Sequence, residues 1–392
     1  MATNTMTAIL PKILARGLMT LRERAVMPRL VNGDYSKDAA KKGATIDVPV
    51  PTAVSTIDVT PSHTPPEASG ATPEVVQVPL NNWKQNSPIH LTDKEIAEID
   101  RNRHFLPMQL DEAIRGLAND VNDDIMAEYL GIYGWAGGSD AIPFNSTDGV
   151  IDATEPRKVL NEQKAPKGFR RGVIDFDAEA NMLALAAFAD AEKTQSAEVK
   201  IEGEIGRKYG IDWVADEAVP THTCGTLSNG STHTAKVNDA AYTVGEKTVD
   251  IDETTLTGTV VIGDIFTVAG DSQTYVVTAN ATAAANAIAG MAFLPASKVA
   301  WADDAVVTFK DTHKVNLVFH RDAFAFAMRP LASQTLNPGG NSQIMSMQDP
   351  VTGIVLRLEV SRQHKQVVWE FDILWGAKLV RAELACRLAS SV

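Results

Sequence analysis

The stretch Ile354–Leu388, IVLRLEVSRQHKQVVWEFDILWGAKLVRAELACRL, decides how the chain is read. Ile354, Leu356, Leu358 and Val360 fall at every second position, and so do Val367, Trp369, Phe371 and Ile373. A period of two predicts strands, so the segment reads as a hairpin with a polar tip at Ser361 to Gln366. The rival reading is chemistry at Asp372, an acid between two tryptophans. Asp372 shares its parity with Val368 and Glu370, opposite Trp369 and Phe371, so it is expected on a solvent- or neighbour-facing side without a catalytic partner. Gly376 is read as the turn before a last strand, Leu379 to Leu388.

The rest of the chain is much longer than this hairpin. Its 392 residues imply two or three packed units. With 44% hydrophobic and 22% charged residues the composition is that of a globular protein. No apolar run approaches the roughly 18 residues of a membrane span, and the start lacks the apolar core of a secretory signal. Cys224 and Cys386 are the only cysteines, which excludes a disulfide framework and suits a reducing compartment. A net charge of −13 argues against phosphate-driven nucleic-acid binding over the whole surface.

The first thirty residues carry Lys12, Arg16, Arg22, Arg24 and Arg29 against the single acid Glu23, with Leu10, Leu14, Leu18 and Leu21 at helical spacing. They read as a basic amphipathic helix with a tether, either an assembly arm or a helix packed on its own domain. From Gly43 to Trp83 there is no Lys or Arg, and eight of the 19 prolines lie between 44 and 90. Thr45–Val48 and Glu74–Val78 alternate as two strands around a tip at Thr60 to Pro73. A ribbon this long is marginal alone, so a neighbouring subunit is its expected support. Leu110, Ile114, Leu117, Val121 and Ile125 predict a spine helix between Pro107 and Gly131, about 35 Å long. Further helices are expected over Ala178–Ala191, capped by Asp177, and after the strand Lys314–Phe319, capped by Asp322 and ending at Pro330.

Composition shifts from Thr221 to Thr312, where 17 of the residues are Thr and none is Arg. Thr259–Ile262, Ile265–Ala269, a Gly270-Asp271-Ser272 turn and Thr274–Thr278 alternate as short strands and turns. This is the pattern of a small antiparallel barrel or sandwich inserted into an α+β domain.

No motif carries a mechanism. The glycines of Gly203 to Gly210 fit neither a dinucleotide fingerprint nor a phosphate loop. His222 and Cys224 offer two metal donors without a third, and a polar loop is the reading preferred. His313 and His320 are an odd number of residues apart on a strand and should face opposite ways. Asp123-Asp124 and Asp303-Asp304 could be cation sites or acid/base partners, but neither pair has a third ligand nearby in sequence, and Asp123-Asp124 reads as a solvated part of the spine helix. The run Arg157, Lys158, Lys164, Lys167, Arg170 and Arg171 reads either as a solvated loop or as a docking surface for an acidic partner. No catalytic residue, cofactor or metal site is therefore expected, and no enzyme.

The order of parts resembles the major capsid proteins of tailed bacteriophages, which have the HK97-like fold, and more narrowly the coat proteins of short-tailed enterobacterial phages. The residues that carry this are Ile201 to Val214 (IEGEIGRKYGIDWV), Val318 to Ala327 (VFHRDAFAFA), Trp369 to Leu388, and Asn32-Gly33-Asp34-Tyr35. The resemblance implies an N-terminal arm (1–43), an extended loop (44–90), a peripheral domain with the spine helix (91–134), an axial domain (135–220 and 313–348), an inserted β-domain (221–312) and a peripheral C-terminal hairpin and last strand (349–392). It also implies homo-oligomerisation into pentamers and hexamers of an icosahedral shell, assembled in the host cytoplasm and retained in the virion. The implied partners are a separately encoded scaffolding protein, a portal, double-stranded DNA enclosed without sequence-specific binding and, optionally, a decoration protein; no membrane is involved. Maturation by expansion of a procapsid belongs to the same expectation.

Within that picture the acids Asp47, Asp58, Glu67 and Glu74 of the base-free loop are expected to meet Arg157, Lys158, Arg170 and Arg171 of a neighbour, with Arg16, Arg22 and Arg24 of the arm as further contacts. The competing readings are an encapsulin-like storage compartment, a tail-tube or surface-layer subunit, and an enzyme with an unrecognised site.

Overall fold

The computed structural model describes residues 14–15, 17–19, 25–35, 45–51, 56, 58–59, 61, 63, 73–94, 108–137, 142–145, 149–189, 205–227, 234–239, 242–329, 331, 342–348 and 353–391. The chain divides into two compact units. One holds Met1–Arg22, Gly33–Leu117 and Ala325–Val380; the other holds Glu23–Asn32, Ala118–Phe324 and Arg381–Val392.

The first unit is built on the expected hairpin. Val355–Gln363 pairs antiparallel with Gln366–Leu379, placing Val360 opposite Trp369 and Leu358 opposite Phe371. Ser342–Gln348 and Phe324–Met328 extend the sheet on its two sides. Asn82–Gln85 and Ile89–Thr92 both pair with the long strand. Asn86 spans the break between them: its N–H donates to Phe371 O (3.1 Å), and its Oδ1 accepts from Phe371 N (2.6 Å).

Asp372 is a correction. It is buried, at 4% exposure, because Arg357 lies directly opposite on the same face and donates Nε–H to its Oδ1 at 2.7 Å, and Nη2 to its Oδ2. Trp83 Nε1 donates to the same Oδ2 at 2.9 Å. Parity assigned the face correctly; what it did not show is the guanidinium on the neighbouring strand that covers and pairs with the acid.

Gly376 is a second correction, since the strand runs through it to Leu379 and the last strand is Ala385–Ser391 after a 3-10 turn at Ala382–Leu384. A Cβ on Gly376 would overlap the Pro79 carbonyl oxygen. Gly376→Ala is therefore expected to destabilise the chain by about 1–3 kcal/mol, because backbone must move to admit a methyl; chemical denaturation measures it, and an unchanged midpoint would remove the close approach from the account.

Thr45–Val50 and Glu74–Pro79 form the expected ribbon, with Thr45 opposite Pro79 and Val50 opposite Glu74. Its inner residues Ile46, Val48 and Val78 pack with Leu80, Ala325 and Ala327. The base of the ribbon thus leans on its own unit. Most of the tip, Glu67 included, lies outside the described residues. Leu14 and Leu18 are helical and buried, and a Cβ on Gly17 would stand 2.6 Å from Ile114 Cδ1, so this part of the arm packs on its own unit. Arg16, Arg22 and Arg24, with Leu10 and Leu21, lie outside the description. The spine helix is Met108–Ala127, closed by a 3-10 turn at Glu128–Gly131. Ile114, Leu117, Val121 and Ile125 are buried along it.

The second unit carries a mixed sheet in the order Trp135–Ala136, Ala385–Ser391, His313–His320, Arg170–Ile174, Ile211–Ala215 and Gly206–Lys208. Two helical readings are corrected in this region. The helix expected at 178–191 is Phe176–Ala184 with Asp175 at its N-cap; extended backbone at Leu185 separates it from a short helix, Ala186–Ala189. The helix expected after His320 is a 3-10 turn, Arg321–Ala323, followed by the strand Phe324–Met328, buried on both faces. A short apolar run fits a buried strand as well as a helix, and packing on both sides selects the strand.

The Thr-rich segment forms a six-stranded antiparallel sheet ordered Lys236–Val237, Thr248–Asp252, Ala287–Leu294, Thr274–Val277, Ile265–Val268 and Val307–Phe309. Its two outer strands meet. Val237 N donates to Ala305 O (2.9 Å) and Val307 N donates to Ala235 O (2.8 Å), so the sheet closes as a barrel. Phe266, Tyr275, Phe293 and Trp301 fill it. Gly270, at φ +89, makes the turn read from the sequence, and Asp271 accepts from Gln273 N (2.9 Å), Tyr275 OH (2.6 Å) and Trp301 Nε1 (3.1 Å). The chain leaves for the barrel through Thr221–His222 and returns through His313–Lys314, and these residues pair with each other: Thr221 with Lys314, His222 with His313.

Candidate assembly surfaces and a buried polar neck

Two charged surfaces and one buried polar cluster are available for function. On the ribbon, Thr45, Asp47, Pro49, Glu74, Val75 and Gln77 point outward, and Gln77 Nε2 donates to Asp47 Oδ1 at 3.2 Å. Asp58 is exposed as well. The ribbon's outer side therefore carries carboxylates without a compensating cation of its own sequence.

The basic run belongs to the second unit, where the helix Ile151–Glu162 ends near the strand Arg170–Ile174. Arg157, Lys158, Lys164 and Lys167 are exposed. Arg157 Nη1 donates to Tyr209 O (3.0 Å), and Lys158 lies 3.9 Å from Glu162 in a solvated pair. Arg170 is a correction to the docking reading: it is 3% exposed, and its guanidinium donates to Pro166 O, Asn161 Oδ1 and Ala165 O, each at 2.8 Å. It closes the turn after the helix and has no reach to a partner. Arg171 is half-buried. Burial holds the Arg170 guanidinium below its ordinary range, and Arg157 adds to this.

The buried cluster sits where the barrel joins the mixed sheet. His222 is 3% exposed and lies between Tyr129 and Asp264, with Tyr129 OH 3.0 Å from Nδ1 and Asp264 Oδ1 2.9 Å from Nε2. The carboxylate only accepts, so Nε2 carries the proton and Nδ1 accepts from the phenol. Asp264 also accepts from Val261 N (2.8 Å) and Gly225 N (3.2 Å). Arg387, fully buried in the last strand, donates Nη1 to Gly263 O (2.9 Å) and Nη2 to Tyr129 O (3.0 Å), and stacks over the Tyr129 ring at 5.0 Å. Gly263 has φ +96, and a Cβ there would stand 2.6 Å from Leu130 Cδ2, so only glycine brings that carbonyl to Arg387.

Tyr–His–Asp is also the order of a proton relay, but Tyr129, His222 and Asp264 are all buried, and their hydrogen bonds link the 3-10 turn, the outgoing strand and the barrel. Burial lowers the Arg387 guanidinium to about 10, which leaves it charged at neutral pH, and raises the Tyr129 phenol. Burial also pushes His313 down to about 3, with Arg387 and His222 adding to that shift and a hydrogen bond to Asp311 O opposing it.

Cys224 is not paired with His222; it faces Thr312, whose Oγ1 accepts from Cys224 N at 3.2 Å. Among the described residues no three His, Cys, Asp or Glu side chains group to hold a metal. His320, like His313, is buried, and it accepts from Asp322 N at 3.2 Å. Sequence reading named the histidines but missed Arg387, Tyr129 and Asp264. One signal was present: a lone arginine inside the apolar run Ala385-Cys386-Arg387-Leu388.

No family model matches the sequence, and no curated protein matches it. Solved structures match in shape. A chain of Mycobacterium phage Che8 is similar over 93% of this chain and 90% of its own, at 12% identity and a TM-score of 0.51. The capsid of an empty GTA particle is similar over 94% and 90%, at 9% identity and a TM-score of 0.45. A virus-like particle from Pyrococcus furiosus is similar over 96% and 97%, at 7% identity and a TM-score of 0.41. The chain has the α+β, HK97-like capsid fold expected from its order of parts. No helix among the described residues is long and apolar enough to cross a membrane.

Proposed function

We propose that this chain is the major capsid protein of a tailed phage, assembling into an icosahedral shell around double-stranded DNA. The observation that carries the proposal is the likeness to the Che8 chain over nine-tenths of both chains, with ribbon, spine helix and closing strand in the expected order. The net charge of −13 supports a wall that contains a polyanion without gripping it. A scaffolding protein, a portal, maturation by expansion and the division into arm, loop, peripheral, axial and inserted domains belong to the same proposal. Electron microscopy of the purified chain, alone and co-expressed with its scaffold, tests it: closed shells are expected, and a chain that stays monomeric under both conditions overturns it. Shells filled with protein cargo instead of DNA in infected cells would place it among storage compartments.

The contact proposed between copies joins the outer acids of the ribbon (Asp47, Asp58, Glu74) to Arg157 and Lys158 of a neighbour, with Glu67 and the arm residues Arg16, Arg22 and Arg24 as further members. Arg170 is withdrawn from it. Exposed ion pairs contribute about 0.2–1 kcal/mol each, so reversing Arg157 and Lys158 together to Glu is expected to change association by about 1–2 kcal/mol per subunit, a roughly tenfold rise in the concentration at which shells appear. The effect should shrink with added salt. Light scattering reads the onset and circular dichroism checks the fold; an unchanged onset at low salt would sink the contact.

A further inference from the structure

We infer that the neck between barrel and sheet is an acid-sensitive clasp: when His313 takes up a proton the neck opens, freeing the barrel from the mixed sheet while the rest of the chain stays folded.

The geometry that carries this is an excess of would-be cations around Asp264, the one buried carboxylate that the described residues place at the neck. His313 stands with its ring 5.3 Å from His222 and 4.8 Å, edge-on, from Trp135. Its Nδ1 is 2.7 Å from Asp311 O, which can only accept, so Nδ1 carries the proton of the neutral ring. Its Nε2 is buried and has no hydrogen-bond partner among the described residues. An added proton would have to sit there, unpaired.

The surroundings offer it no compensation. The last strand presents Arg387, whose charge acts on the His313 ring, and Trp135, edge-on to that ring, carries Lys310 over its own face at 5.6 Å. The helix end presents the Tyr129 phenol, which faces His222. Glu155 acts on Cys386, the residue beside Arg387, and the Asp311 side chain belongs to an exposed residue. Asp264 is the buried acid of the neck, and it is already engaged by His222 and two backbone N–H groups, with Arg387 balancing its charge. The neutral ring is thus the only form that the closed neck accommodates.

The sign follows from linkage. His313 in the closed neck titrates near 3, whereas in an open, solvated neck it titrates at its ordinary value of about 6.5. The open form therefore binds more protons between these limits. Opening becomes up to about tenfold more favourable for each pH unit below about 6.5, and levels off near 3. From neutral pH to about pH 4.5 the opening constant should rise roughly a hundredfold from this one residue.

Cys224 reports the event, because it lies at the neck, buried, between the outgoing strand and Thr312. The full chain is labelled with 4,4′-dithiodipyridine, a thiol reagent that works in acid, and the modified cysteine is located by mass spectrometry. Rates are divided by those of the urea-unfolded chain at each pH. The corrected Cys224 rate is expected to rise roughly a hundredfold between neutral pH and about pH 4.5 while far-ultraviolet ellipticity holds. His313→Gln should remove most of that rise, and His313→Phe, which keeps a ring against Trp135, should do the same if glutamine disturbs the packing. A rise that survives both substitutions, no rise in the native chain, or labelling that only tracks loss of ellipticity would each overturn the inference.

Discussion

Asp372→Ala is expected to destabilise the chain by about 3–5 kcal/mol, enough to threaten folding of the unit that holds the hairpin. The loss comes from what is left behind. Arg357 and Asp372 have side chains only 14% and 6% exposed, and the acid satisfies both the guanidinium and the Trp83 indole. Hydrogen bonding to Asp372 is the leading reason the Arg357 guanidinium is held above its ordinary range, so alanine removes the main counter-charge of a buried cation that cannot neutralise itself. Replacing both partners, Arg357→Met with Asp372→Leu, should recover most of the stability, since a buried ion pair gains little over a well-packed apolar pair. Urea denaturation of the three variants decides the matter. A single mutant that unfolds at the native midpoint would show that water reaches the pair.

Phe266→Ala carries the second large effect, about 3–5 kcal/mol, and it falls on the barrel. Phe266 is fully buried and meets the rings of Tyr275, Phe293 and Phe309, each at 5.6 Å between centroids. Deleting the ring opens a cavity with rigid aromatic walls that cannot collapse. Phe266→Leu should cost much less, because most of the volume is kept. Thermal unfolding followed by near-ultraviolet circular dichroism would register the difference; equal costs for both substitutions would point away from a cavity.

The hairpin was legible because its period of two is unbroken on both arms; its register, with Val360 opposite Trp369, is set by the tight turn between Gln363 and Gln366, inside the tip expected at Ser361 to Gln366. Asp372 was misread for a related reason. Alternation reports which residues share a face, and it says nothing of a cation waiting opposite on the neighbouring strand. The segment Phe324–Met328 was misread because five apolar residues have no period to display. In the barrel the Gly270 turn announced itself through local chemistry. Closure did not, because it rests on hydrogen bonds between Ala235–Val237 and Ala305–Val307, residues far apart in sequence with no local mark. Arg170 shows the same limit from the other side: grouped with its basic neighbours it looked like a docking residue, yet the carbonyls of Ala165 and Pro166 enclose it. The neck was half legible, through its histidines and a lone arginine in an apolar strand, while Asp264 carried no local mark.

The pairing of Thr221–His222 with His313–Lys314 has a consequence for the history of such a chain. The backbone departs for the barrel and comes back at neighbouring rungs of one ladder, so the sheet has the same register whatever the length of chain between them. Such a junction lets genes gain, trade or lose a whole module in a single recombination, without retuning the strands that receive it. The neck is the part that such an exchange would break, because Arg387 and Tyr129 belong to the mixed sheet and the helix end while Gly263 and Asp264 belong to the barrel. A newly acquired module would start out unfastened, and selection would then have four positions to work on.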